Sequence, residues 1–276
     1  DYFLPSLNLK YNLNDKNSLR LGASKTYTLP QAKEISPYRY VGVNFNSQGN
    51  PNLKPSDHYN LDLKWDFNPT STELISLTAF YKLIKNPISR IEVASAGGYL
   101  SYENIADKAT VAGVEVEIRK NLFVRPVSNA AHGMNKLSLG LNGSYIYTNA
   151  KMPLATVTTG SQLEGAAPWI VNFDLSHNFT KGERSFVNTL VLNYVSDKIY
   201  TIGTQGYQDM MEQGVLTLDF VSQAKLNKHL SLNLKARNLL NPSYKLSRKA
   251  NENGEKVILN DYKKGINISL GVSCTF

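Results

Sequence analysis

The sequence predicts an all-β protein, folded as an up-and-down antiparallel β-barrel that spans a membrane. Three observations lead to this fold class. Apolar and polar residues alternate with period two along most of the chain, the connections between the alternating segments are short and long in turn, and charged residues lie in the middle of the polar stripes. The 16 Tyr residues and the lack of a capped helical period also favour strands.

The alternation is clearest in HYNLDLKWDF, where apolar side chains share one face of an extended chain: Tyr59, Leu61, Leu63, Trp65 and Phe67. The pattern recurs in VAGVEVEIR, PWIVNFDLSHNF, HLSLNLKAR and YKKGINISLGVSCTF. It predicts about eleven strands, at 4–13, 18–28, 58–67, 73–84, 110–120, 135–149, 168–179, 184–199, 214–226, 229–240 and 262–276. The segment 184–199 is ambiguous, because either of its faces can be taken as the apolar one.

The connections fall into two length classes. Short ones with the Asn, Asp, Gly and Pro of hairpin turns lie at 14–17, 68–72, 180–183 and 227–228. Long ones lie at 29–57, 85–109, 150–167, 200–213 and 241–261. Because successive connections of an up-and-down sheet emerge at opposite ends, this alternation collects the long ones at one end, as in bacterial outer-membrane barrels. The connection 121–134 breaks the rule, since it is long where a short one is due.

The two faces of the strands predict what each side contacts. Mid-strand charges such as Asp62, Lys64, Glu115 and Glu117 are tolerable only where their face meets water or a polar filling, so the apolar face is the one that meets lipid. Aromatic residues near the strand ends fit the girdles of a membrane barrel. No run approaches the 18 or more apolar residues of a spanning helix.

The strand count predicts that other strands complete the barrel. With the C-terminus on the periplasmic side, an odd number of strands leaves residue 1 on the outer side, whereas a complete single-chain bacterial barrel has an even count and both ends in the periplasm. An open edge in lipid would leave backbone groups unpaired. We therefore expect strands that precede Asp1 to pair with both edges.

The composition argues against several other functions. A single cysteine, Cys274, excludes an internal disulfide, and the four His residues show no metal-ligand spacing. The net charge of +8 is scattered among the strands, so we expect no nucleic-acid partner. No nucleophile, phosphate-binding or dinucleotide motif is found, and we expect no catalytic residues, no metal, no cofactor and no enzymatic activity.

Several segments together resemble one family. SQGNPNLKPSDHYNLDLKW (47–65), FYKLIKNPISR (80–90), YENIADKATVAGVEVEIRK (102–120) and ARNLLNPSY (236–244) are similar, in order, to stretches of TonB-dependent outer-membrane receptors. The terminal aromatic residue, Phe276, matches the Phe on which such barrels end. Ser56 and Leu240 depart from the pattern, since the family more often has Glu and Phe there. The resemblance covers about residues 47 to 276 and is carried by weak motifs in the right order.

The resemblance implies that residues 1–276 are the C-terminal half of a 22-stranded barrel, whose plug domain lies outside this sequence. It implies energised import of a scarce ligand across the outer membrane of a Gram-negative bacterium. The ligand class stays open among siderophore, haem, cobalamin, glycan and peptide. The partners implied are outer-membrane lipid, the N-terminal strands and plug, the TonB complex through the plug, and the barrel assembly machinery through the C-terminal strand and Phe276. A surface lipoprotein is left open as a further partner.

Aromatic and Arg residues in the long connections are the candidates for ligand contact, because they supply area and polar tips at recognition surfaces. They are Tyr38, Arg39, Tyr40, Tyr99, Tyr102 and Tyr207. Gly113 is expected to mark a strand kink or a close approach to a neighbour. Two alternatives remain at this point: a passive channel with a smaller, porin-like barrel, and a soluble all-β ligand-binding protein.

Overall fold

The structure of the protein, a computed structural model, describes residues 2–95, 98–127, 133–152, 162–250 and 254–275. In chain order its elements are β1 (Ser6–Asn12), β2 (Asn17–Thr28), α1 (Ala32–Ile35), β3 (Arg39–Tyr40), β4 (Ser47–Gln48), β5 (Ser56–Phe67), β6 (Leu74–Lys85), β7 (Ile88–Val93), β8 (Tyr99–Asn104), β9 (Lys108–Pro126), β10 (Met134–Ala150), β11 (Trp169–Lys181), β12 (Arg184–Val195), β13 (Lys198–Thr201), β14 (Met210–Glu212), β15 (Val215–Lys225), β16 (Leu230–Arg237), β17 (Ser243–Lys249), β18 (Lys256–Lys263) and β19 (Asn267–Cys274). No helix in these ranges is long and apolar enough to cross a membrane.

One large antiparallel sheet confirms the predicted up-and-down architecture. Its eleven strands pair in the order β1-β2-β5-β6-β9-β10-β11-β12-β15-β16-β19. The spatial order of these strands is therefore the same as their order along the chain. Among the described residues β1 and β19 each pair along one side, and the sheet is therefore open. Two sheets of four strands, β3-β4-β8-β7 and β13-β14-β17-β18, lie in the long connections.

The cross-strand register separates an outer, apolar face of the large sheet from an inner, polar face. Leu63 is paired with Leu21 and Ala79 on the outer face, and its neighbour Lys64 is paired with Arg20 and Thr78 on the inner face. Leu63 is 51% exposed, although it is large and apolar. A face of this kind in contact with water would be costly, so the outer face is the one that lipid covers.

The register also resolves the ambiguity of β12. Leu190 is paired with Leu175 of β11 and Phe220 of β15, so the row of Leu190 belongs to the outer face. The neighbouring Val191 is paired with Asp174 and lies on the inner face. Both faces of β12 carry apolar residues, so its own sequence does not show which face is the outer one. The register with β11 and β15, whose outer faces are clear, assigns it.

Three predicted boundaries are wrong. The segment 184–199 leaves the large sheet after Val195, where Asp197 Oδ1 accepts a hydrogen bond from the Gly214 amide at 2.6 Å and the chain turns into β13. The final segment, predicted at 262–276, is interrupted at Gly265, whose φ of +79° ends β18. Residues 121–126 of the connection 121–134 belong to β9, which ends at Pro126, and β10 begins at Met134. A bulge in β9 lies opposite Leu137 and Ser138.

Gly113 marks a close approach, one of the two roles predicted for it. A Cβ atom added there would lie 2.4 Å from Phe80 Cζ and 2.4 Å from the backbone oxygen of Tyr145. The ring of Phe80, on the inner face of β6, therefore occupies the space that a side chain at position 113 would need. Glycine is the residue that permits this packing.

Hydrogen bonds join the end of the described chain to the turn before β16. The Thr275 amide donates to the backbone oxygen of His229 at 2.9 Å, and His229 Nδ1 lies 2.7 Å from the Thr275 oxygen. Phe276, the residue predicted to label the barrel for assembly, lies outside the described residues, so that role remains a prediction.

Candidate ligand-binding site

The buried core of the described chain lies at the end of the large sheet where the long connections gather. Its main cluster consists of Ile91, Ile105, Ala106, Ala109, Ala150, Leu163, Ile199 and Ile202. Half of these residues belong to the small sheets or to the ends of β9 and β10, and the other half lie in the connections between strands. The long connections therefore pack against one another as a folded layer.

Backbone and side-chain contacts join the two small sheets. The Ile202 amide donates to the Arg90 oxygen at 3.0 Å, and the Glu92 amide donates to the Ile202 oxygen at 3.1 Å. The carboxylate of Glu92 forms an ion pair with Arg248 of β17, and the Thr204 hydroxyl donates to the Glu92 backbone oxygen. Both partners of this ion pair are mostly buried, and the pair links β7 of one small sheet to β17 of the other.

A cavity of about 630 Å³ opens between the two small sheets. Five aromatic side chains and four charged side chains contribute to its lining: Phe45, Tyr102, Tyr200, Tyr244 and Tyr262, and Lys33, Arg90, Lys245 and Glu212. The cavity is of the size that small-molecule sites have, and three of its four charges are positive. Its lining suits a ligand that carries negative charge and flat apolar surface.

Arg90 is the best-positioned cation of this cavity. Its guanidinium lies 4.5 Å from the ring centre of Tyr200 and pairs with the Glu164 carboxylate, with Arg90 Nη2 3.5 Å from Glu164 Oε1. The Arg90 amide also donates to Glu164 Oε2. Burial raises the pKa of Glu164 above its ordinary value and nearby Glu34 adds to the rise, while the hydrogen bond and charge of Arg90 oppose it.

The remaining cations are held more loosely. Lys245 Nζ lies 3.9 Å from Asp261 Oδ2, and both side chains are more than a third exposed. The ammonium of Lys33 lies 5.6 Å from the ring centre of Tyr40. Tyr244 and Tyr262 stack with ring centres 5.4 Å apart, which gives the opposite wall a flat aromatic surface.

The six residues proposed from the sequence do not meet at one place. Tyr102 lines the cavity of about 630 Å³, and Tyr99 lines a neighbouring cavity of about 350 Å³. Arg39 lies against Tyr99, 5.4 Å from its ring centre, while Tyr38 is 74% exposed. The guanidinium carbon of Arg248 lies 5.3 Å from the ring centre of Tyr207. Contact of these six residues with a ligand remains a prediction.

Four prominent residues of the cavity were not proposed from the sequence: Arg90, Tyr200, Tyr244 and Tyr262. Arg90 ends the segment FYKLIKNPISR and Tyr244 ends ARNLLNPSY, two segments that carry the family resemblance. Their motif positions suggested strand structure, and no pattern in the sequence indicated that the two strands face each other across a cavity.

The described residues show no grouping of three or more His, Cys, Asp or Glu side chains able to hold a metal ion. His58, His177 and His229 lie on different strands or turns, and His132 is outside the described ranges. The expectation that the protein has no metal and no catalytic residues remains a prediction.

Comparisons with known proteins agree with this architecture. The family described as "TonB dependent receptor-like, beta-barrel" matches residues 1–239. The iron-regulated outer membrane virulence protein of Vibrio cholerae serotype O1 is 25% identical over 228 residues, which are 79% of this chain and 32% of the relative. The chain thus spans about a third of the length of that relative.

Solved structures show the same fold. A mutant ferric enterobactin receptor from Pseudomonas aeruginosa superposes with a TM-score of 0.60 at 18% identity, covering 99% of this chain and 40% of the receptor. The copper transporter OprC gives a TM-score of 0.65 at 14% identity, with 98% and 39% covered. The ferric yersiniabactin uptake receptor of Yersinia pestis gives 0.60 at 15% identity, with 99% and 37% covered. With the match to the family over 1–239, the lipid-facing outer face and the folded layer of long connections, the chain belongs to the TonB-dependent receptors as part of their outer-membrane β-barrel.

Proposed function

We propose that this chain is the C-terminal part of the barrel of an outer-membrane receptor that imports a scarce ligand with energy supplied by TonB. Strands and a plug domain outside this sequence would complete the barrel and couple it to TonB. Membership of the family and the similarity to receptors for iron complexes and to a copper transporter support active import. On this proposal the chain has no enzymatic activity.

The ligand we propose is an anionic complex with aromatic or other flat groups, such as a ferric siderophore, and its first binding site is the cavity of about 630 Å³. The observation that carries this choice is Arg90, held between the ring of Tyr200 and the carboxylate of Glu164 in a cavity with mostly positive charge. An arginine in this position can exchange Glu164 for a ligand anion, because both alternatives satisfy the charge of its guanidinium.

Binding to the full-length protein tests the choice of ligand. Ferric enterobactin serves as the anionic probe and cobalamin as a comparison. We expect Arg90→Gln to weaken ferric enterobactin binding by about tenfold to about a hundredfold, the usual effect of losing a charged hydrogen bond. Lys235→Gln, which removes the same charge from β16, is the matched control and should leave the affinity unchanged. Binding of cobalamin alone, or equal losses in both variants, would contradict the proposed ligand class.

Uptake by cells tests the energy source separately. Cells that express the full-length protein should take up the bound ligand only when TonB is present. If uptake continues at the same rate in cells without TonB, the protein is a passive channel and the proposal of energised import is wrong.

A further inference from the structure

A cluster of lysines lies on the outer face of the large sheet, at the end where the long connections emerge. It consists of Lys25 on β2, Lys85 on β6 and Lys108 on β9, arranged around Tyr59 and Asp57 of β5, and we call these five residues the lysine patch. The register places all of them on the same face as Leu63: Lys25 is opposite Tyr59, Asp57 is opposite Lys85, and Lys85 is opposite Lys108.

The contacts within the patch centre on Tyr59. Lys25 Nζ lies 5.6 Å from the centre of its ring and Lys85 Nζ lies 5.3 Å from it. Lys25 Nζ is also 3.5 Å from Asp57 Oδ1. Two ammonium groups therefore share one aromatic ring, and the single carboxylate of the patch is already engaged by Lys25.

The charge of the patch is not balanced by its own residues. Three lysines and one aspartate leave a net charge of +2, and Lys85 and Lys108, both exposed, stand directly opposite each other. Like charges in directly opposed positions destabilise a sheet pair. An anionic group bound between Lys85 and Lys108 would remove that repulsion.

The depth of the patch in the membrane follows from the length of β5. Phe67 follows Tyr59 by eight residue positions, and at a rise of about 3.4 Å per residue and a tilt of about 40° this distance is about 21 Å along the membrane normal. This is close to the height of about 25 Å of the apolar band of such barrels, whose two borders are marked by aromatic girdles. The lysines thus lie at the border of the band on the side of the long, extracellular connections.

We propose that the lysine patch binds the phosphorylated headgroup of the glycolipid in the outer leaflet. Phosphate groups at this depth have the negative charge and the hydrogen-bond acceptors that complement the ammonium groups of Lys85 and Lys108. Tyr59 contributes a flat, half-exposed ring at the level where the lipid changes from apolar chains to polar headgroup. The site is separate from the cavity between the small sheets and does not depend on what that cavity binds.

Titration of the purified full-length protein with lipopolysaccharide tests the proposal. The variant Lys85→Gln with Lys108→Gln should bind lipopolysaccharide about 30-fold more weakly than the wild type, the effect expected for two lysines at a charged lipid surface. Lys120→Gln with Lys181→Gln is the matched control, because these two lysines are also exposed but lie at the short-turn end of β9 and β11. The control should bind as the wild type does.

Two further arms keep the test decisive. Lys85→Arg with Lys108→Arg retains both charges and should keep the affinity, which separates a loss of charge from a failure to fold. The same titration with phosphatidylglycerol, which carries a single phosphate, should give weaker binding and a smaller loss of affinity in the Lys85→Gln, Lys108→Gln variant. The proposal is overturned if the control pair loses as much affinity as the patch pair, or if phosphatidylglycerol binds as tightly as lipopolysaccharide with the same dependence on the patch.

Discussion

A charge placed on the outer face of β5 gives a quantitative test of which face meets lipid. Leu63 lies four residues from Tyr59 and four from Phe67, so it stands about 10 Å from each border of the apolar band. It is 51% exposed and flanked in register by Leu21 and Ala79. We expect Leu63→Arg to lower the free energy of unfolding in a bilayer by about 2 to 4 kcal/mol, the cost of an arginine near the midplane.

The control variant uses the same substitution at a different depth. Ile75 lies on the same face, is 38% exposed and is paired with Phe67 at the border of the band, so Ile75→Arg should cost no more than about 1 kcal/mol. The assay is the urea dependence of folding of the full-length protein into phospholipid vesicles, followed by the difference in gel mobility between folded and unfolded barrel. Equal costs at the two positions, or no cost at Leu63, would refute the assignment of the outer face.

Two further variants test the packing and the electrostatics of particular residues. Gly113→Ala should lower the free energy of unfolding by about 1 to 3 kcal/mol because its Cβ atom would overlap with Phe80, whereas Gly143→Ala, where a Cβ atom meets nothing within 4 Å, should cost nothing in the same urea assay. The folded-state pKa of Glu164 lies above its unfolded value. The loop that carries Glu164 is therefore most stable below the ordinary carboxyl pKa, and it loses this stability as the pH rises through the raised pKa. Glu164→Gln should therefore increase the hydrogen-exchange protection of the Gly165 amide relative to wild type at about pH 7 and leave it unchanged at about pH 4; an opposite trend would show that the ion pair outweighs burial.

The strands of the large sheet could be predicted from the sequence because their two faces meet different surroundings. Where lipid lies on one side and a polar lumen on the other, every second residue must be apolar, and a run such as HYNLDLKWDF shows this pattern directly. The sequence left the orientation of a strand open where that contrast is lost. β12 carries apolar residues on both faces, with Leu190 on one and Val191 on the other, and only the register with β11 and β15 distinguishes them.

The long connections could not be predicted in the same way. Their strands are two to eight residues long and are stabilised by contacts between distant parts of the chain, such as the ion pair of Glu92 with Arg248. Short strands of this kind carry too few residues for a period to be recognised. The sequence therefore suggested tyrosines and one arginine of the long connections as ligand contacts, and it did not suggest Arg90 or Tyr244, which the fold brings to one cavity.

The sequence by itself determined the fold class, the number and order of the membrane strands and the end at which the long connections gather, because these depend on local alternation and on the chain order of turns. The tertiary structure alone decided that the long connections form two sheets with a buried core, that Arg90 lies between Tyr200 and Glu164, and that two lysines from separate strands share the ring of Tyr59. Each of these depends on residues far apart in the chain, whose proximity is set by the register and packing of whole strands rather than by any local pattern.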